Sequence, residues 1–148
     1  MPRRPRHNTD QVEGGAFRAH GFMEVSVSER LNIMEAHGPF NKELVLAADQ
    51  AQEQIDPHLP HAQRWGSVLV FKGSALATPD AIAAIAEIVA RRSAQGIRPV
   101  AIALVLAADV EGAALMAPHY LQAYAQSGIP GAVFAEMMAA SDWVLSQL

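Results

Sequence analysis

The chain has 148 residues, 51% of them hydrophobic, with a net charge of −4 and a pI near 5.8. That is one domain of ordinary size, apolar enough for a core and too apolar for a disordered chain, and the acidic balance argues against nucleic acid as a partner because phosphate contacts need clustered Lys and Arg. With no cysteine in the sequence, disulfides, thiolate catalysis and Cys-based metal centres are excluded.

Residues 1–21 are polar and weakly basic: Arg3, Arg4, Arg6 and Arg18 stand against Asp10 and Glu13, with Pro2, Pro5, Gly14 and Gly15 between them. They predict a tail or extended arm. No apolar run follows the arginines, so the segment does not read as a secretory signal. The longest apolar run, Val100 to Ala108, is too short to cross a membrane, and a cytoplasmic protein is expected.

The folded domain is expected over 22–148. Met23, Val25 and Val27 alternate with Glu24, Ser26 and Ser28, which is strand period. Ser28-Glu29-Arg30 turns the chain into a second strand from Leu31 that ends at Gly38-Pro39, so the pair reads as a hairpin. Asn41 is a helix cap, and Leu44, Ala48, Ala51 and Ile55 fall on one face of the helix it opens. Asp56-Pro57 and Pro60 stop that helix.

Ser67 to Phe71 is a continuous apolar run, as expected of a strand covered on both faces. Thr78-Pro79-Asp80 starts the next helix, with Thr at the cap, Pro at the first position and an acid in the first turn. Ile82, Ile85, Ala86 and Val89 make its buried stripe, and Gly96 closes it. Pro99 to Leu106 predicts another buried strand. Glu111 to Gln126 predicts a helix interrupted by Pro118, Gly131 to Phe134 a last strand, and Glu136 to Leu148 a last helix. The order is ββαβαβαβα: an α/β fold with a mixed, mostly parallel sheet and helices packed on it.

This order, with Gly38-Pro39-Phe40, Val68-Leu69-Val70-Phe71-Lys72-Gly73, Gly128-Ile129-Pro130, Val133-Phe134 and Trp143-Val144-Leu145, resembles the STAS domains, and within them the SpoIIAA-like group. The resemblance covers roughly 22–148 and implies a single non-enzymatic regulatory domain without cofactor that binds a protein partner. Classical members are anti-sigma factor antagonists, switched by phosphorylation of a serine at the start of the second helix. Here Thr78-Pro79-Asp80-Ala81 lines up with that stretch and Asp80 stands about where the serine would be, so the classical switch is not expected. SpoIIAA-like folds also resemble lipid-carrying α/β domains, which leaves a second class open: a carrier or sensor of a small apolar ligand, requiring a cavity.

In parallel sheets, ligands bind at the C-terminal ends of the strands. Two loops leave those ends, 73–80 and 107–112. If their strands are neighbours, Ser74, Thr78, Asp80, Asp109 and Glu111 share a rim, and with Ile82 they form the candidate partner- or ligand-binding surface. The plainer reading has Thr78 and Asp109 capping helices and Asp80 and Glu111 complementing helix dipoles. Asp109 and Glu111 lack an accompanying nucleophile or oxyanion motif, so no catalytic residue is assigned. His58 and His61 sit among prolines in a loop without a third ligand, and no metal site is assigned. Met116, Met137 and Met138 are expected to fill core gaps. A homodimer through the tail or an apolar edge at 22–28 is possible on strand-edge grounds.

Overall fold

The structure, a computed structural model, describes residues 4–11 and 19–148. It is an α/β fold with a six-stranded mixed sheet and four helices. The strands are β1 (Arg6–Asn8), β2 (Phe22–Ser28), β3 (Leu31–His37), β4 (Gly66–Lys72), β5 (Ile102–Val105) and β6 (Gly131–Phe134). The helices are α1 (Lys42–Ile55), α2 (Pro79–Ala94), α3 (Ala113–Ala125) and α4 (Met137–Gln147). Among the described residues no helix is long and apolar enough to cross a membrane.

The first strand was not expected. Part of the predicted tail pairs antiparallel with β2, with Arg6 opposite Ser26, and Thr9 is buried with its Oγ1 accepting from Met23 N–H at 3.1 Å. The outer edge of β2, expected to be available for a dimer, is therefore covered by β1. The remainder of the tail that was read from sequence, 1–3 and 12–18, lies outside the described residues.

β1, β2 and β3 form an antiparallel meander, and β3 to β6 run parallel in chain order. Each parallel step carries one helix. Right-handed crossovers that all move the same way across a sheet leave their helices on the same face. Leu44 of α1, Met116 and Tyr120 of α3, and Ile82, Ile85 and Val89 of α2 accordingly share one core with Ala36, Leu69, Phe71, Ile102 and Leu104. The other face belongs to α4, whose Ala140 and Val144 pack on Val68, Val70, Ala103 and Val105. Strand period splits the apolar runs of β4 and β5 cleanly between these two cores.

Local chemistry sets the boundaries. Asn41 Oδ1 accepts from Leu44 N–H at 3.0 Å, and Thr78 Oγ1 from Ala81 N–H at 3.3 Å, so both predicted caps form. Alanine has a purpose between α1 and α2: Ala81 and Ala84 are buried against Val45 and let the two helices approach. Asp109 does not cap α3. Gly112 stands at that position with φ of 72°, and a Cβ there would meet Leu76 Cδ2 at 2.4 Å.

Candidate functional site

β4 and β5 are neighbours, so the two predicted loops do lie side by side. Their residues are largely occupied with each other. The Ser74 hydroxyl, buried, donates to Glu111 Oε1 at 2.8 Å, and the backbones join through Ala75 N–H to Glu111 O (2.8 Å) and Glu111 N–H to Gly73 O (2.9 Å). On its other side the same loop is bonded to the end of β3, through Gly38 N–H to Ser74 O, Phe40 N–H to Leu76 O and Thr78 N–H to Phe40 O. The 73–78 segment is thus stitched on both flanks, with its polar groups committed to structure.

The remaining predicted residues separate. Thr78 donates its hydroxyl to Asp80 Oδ1 at 2.5 Å, an exposed pair in the first turn of α2. Asp109 is exposed and borders a groove at the strand ends together with Lys72 and Glu136. Ile82 is half-buried and packs on the core, so it belongs to the stripe of α2 and not to an open surface. Met116 fills the core as expected, whereas Met138 is 76% exposed. His61 Nε2 lies 2.8 Å from the Asp56 carbonyl, and among the described residues no three His, Cys, Asp or Glu side chains group as a metal site.

A different site lies beneath the helices. Between the sheet and α1 to α3 is a cavity of about 130 Å³, none of whose lining residues is exposed. Phe40, Leu69, Phe71, Ile85 and Ile129 make much of its wall, with Met23 and Met34 as adaptable side chains on β2 and β3. Interiors are packed like crystals, with few voids larger than a water molecule. An apolar void of about 150 Å³ holds benzene, which sets the scale of molecule this cavity admits.

Part of the wall is polar. Asn32 on β3 and Gln52 on α1 exchange amide hydrogen bonds in both directions at 3.0 Å. Asn32 also lies 3.5 Å from Ser67 Oγ, and Gln52 Nε2 donates to Asp56 Oδ1 at 3.2 Å. Arg92 of α2 donates to the same Asp56 oxygen at 2.6 Å, and Arg91 donates to Asp49 Oδ2 at 2.6 Å. The carboxylate of Asp49 raises the pKa of Arg91 by hydrogen bond and by charge. From α3, Tyr120 donates its hydroxyl to Ala75 O at 2.6 Å, and Tyr124 also faces the cavity. Burial pushes Tyr120 up, and it pushes Tyr124 up to about 12 against the opposing charge of Arg92, so both phenols stay neutral at physiological pH.

None of Asn32, Asp49, Gln52, Arg92 or Ser93 was singled out from sequence as a site residue. The available signal was position. Asn32 sits between Leu31 and Ile33 in a strand, and Gln52 shares the buried stripe of α1 with Ala48 and Ile55. Polar residues at core positions mark either a structural network or a binding wall.

The architecture is that of an α/β domain with three helices over one face of the sheet and a cavity beneath them. Comparison with protein-family models, curated proteins and solved structures gives no match.

Proposed function

We propose that this protein binds a small, largely apolar molecule in the cavity between the sheet and α1 to α3, as a carrier or sensor. The cavity itself carries the reading: about 130 Å³ of space lined by buried and half-buried side chains, most of them apolar. An empty apolar void is destabilising, because its lining loses contacts that a filled core would make. Retaining one is explained if an occupant supplies those contacts. The stitched loops at the strand ends agree with a site inside the fold, since their hydroxyl and backbone groups are already bonded.

The test is native mass spectrometry of the protein isolated gently from its source cells, beside the variant Ala48→Leu. Ala48 lines the cavity from α1, and leucine there fills it. The wild-type chain is expected to carry a small-molecule adduct that A48L loses, while A48L gains about 0.5–2 kcal/mol of stability from the filled void. An adduct retained by A48L, or none on the wild type, overturns the reading. A stoichiometric protein partner in place of an adduct would favour the regulatory module that the STAS resemblance implies, with capture at the exposed Asp80 and Asp109.

A further inference from the structure

We infer that the cavity takes a neutral molecule carrying a hydroxyl-type head on an apolar body of about one ring, with the head bonded to Asp49 and Ser93. This rests on the cavity being a binding site.

Among the described residues, two buried side-chain polar atoms have no hydrogen-bond partner: Asp49 Oδ1 and Ser93 Oγ. Both residues line the cavity. Buried polar groups are bonded in the great majority of cases, and each bare one calls for an explanation. The Asp49 side chain is only 10% exposed, and its Oδ2 is satisfied by Arg91 at 2.6 Å. Its Oδ1 has Arg92 Nη1 at 3.8 Å, an ion-pair distance too long for a hydrogen bond. Arg92 is itself held to Asp56 at 2.6 Å. Ser93 lies one helical turn after Val89 on the face of α2 that lines the cavity, and Asp49 lines it from α1, so both bare atoms belong to the wall that these two helices make.

The two atoms specify complementary chemistry. A carboxylate oxygen accepts only, whereas a serine hydroxyl both donates and accepts. A ligand hydroxyl answers both, donating a hydrogen bond to Asp49 Oδ1 and accepting one from the Ser93 hydroxyl. Charge selects further. Arg91 and Arg92 already balance Asp49 and Asp56. An ammonium head would bring an uncompensated charge into a buried site. A carboxylate head would face Asp49 with like charge. The rest of the ligand meets Leu69, Phe71, Ile85 and Val89, which offer it only apolar surface.

Phenol, toluene and benzoate separate these possibilities, since phenol and toluene have nearly the same shape. Each is titrated into the full chain and into Ser93→Ala, with binding read from NMR amide shifts. Phenol is expected to bind the wild type at least as tightly as toluene, although water solvates it better, and benzoate at least tenfold more weakly than phenol. Ser93→Ala is expected to weaken phenol about tenfold, the loss of one hydrogen bond to a buried site, and to leave toluene within twofold. Asp49→Asn, which keeps the side chain's shape, should weaken phenol in the same selective way and serves if Ser93→Ala disturbs the fold. Toluene tighter than phenol, phenol indifferent to the substitutions, or benzoate equal to phenol would overturn the head-group assignment and leave the cavity reading standing. Failure of both phenol and toluene to bind would remove the cavity reading and this inference together.

Discussion

At the scale of single residues, the two tyrosines of α3 give the clearest pH signature. Tyr120 is 2% exposed, and Tyr124 is raised from 10.0 to about 12 by burial. The folded state therefore keeps protons that the unfolded chain sheds above pH 10. Stability from their burial is complete below that pH and is lost as pH climbs, toward about 12 for Tyr124. Each phenol should remove up to about 1.4 kcal/mol per pH unit in that window. Urea unfolding at pH 9 and pH 11 reads the effect, and Tyr124→Phe should roughly halve the difference. An unchanged difference in the variant would mean that Tyr124 is not the group titrating.

Residue-scale chemistry was legible in sequence where it is local. The caps Asn41 and Thr78 act on amides three residues away, so the pattern contains the whole interaction. The polar wall was not legible, because Asn32, Gln52 and Arg92 meet only after β3, α1 and α2 are assembled. Ser74 and Glu111 stand between these cases. Their proximity followed from the adjacency of two strands, but that their polar groups would be used up on each other did not.

At the scale of elements, the close approach of α4 to the sheet depends on one missing side chain. A Cβ on Gly66 at the start of β4 would lie 2.2 Å from Val144 Cγ1 and 3.3 Å from Ala101 O. Gly66→Ala should therefore push α4 away from its core of Val68, Val70, Ala103 and Val105, at a cost of about 1–3 kcal/mol. Val144→Ala alone leaves a hole and is also destabilising. Combined, the two changes relieve the overlap, so the double variant should lose less than the sum of the singles. Additive losses in denaturant unfolding would show that the contact is not the cause. The elements themselves were well marked, because the 3.6-residue stripes and proline and glycine stops are strong signals. Which face each helix covers was not marked: β4 and β5 are apolar on both faces, and only the order of strands assigns α4 to the far side.

At the scale of the whole molecule, the sheet ends in a strand that sequence gave little reason to expect. Arg6, His7 and Asn8 show no apolar alternation; β1 is held by its backbone pairing with β2, by Pro5 O accepting from Val27 N–H at 3.2 Å, and by the buried Thr9. Period-based reading misses such a strand, since side-chain pattern did not specify it. Its physical use is to cover an edge. Beneath it β2 carries Val25 and Val27, buried against Ile55, Leu59 and Trp65, and a bare edge of that kind is a template for pairing with another chain. Deleting residues 1–8 frees backbone groups that water then solvates, so the expected loss of stability is small, below about 2 kcal/mol. The larger expected change is in association: the shortened chain should self-associate with rising concentration in sedimentation velocity, more steeply than the full chain. Replacing Val25 or Val27 would not discriminate, because both sit in the core. Adding residues 1–8 back as a free peptide would, since the donors freed on β2 are those that faced β1, among them the Val27 N–H from which Pro5 O otherwise accepts, and the peptide covers the same edge again. Suppressed association in the presence of the peptide assigns the effect to the β2 edge, whereas unchanged association would place it elsewhere on the surface.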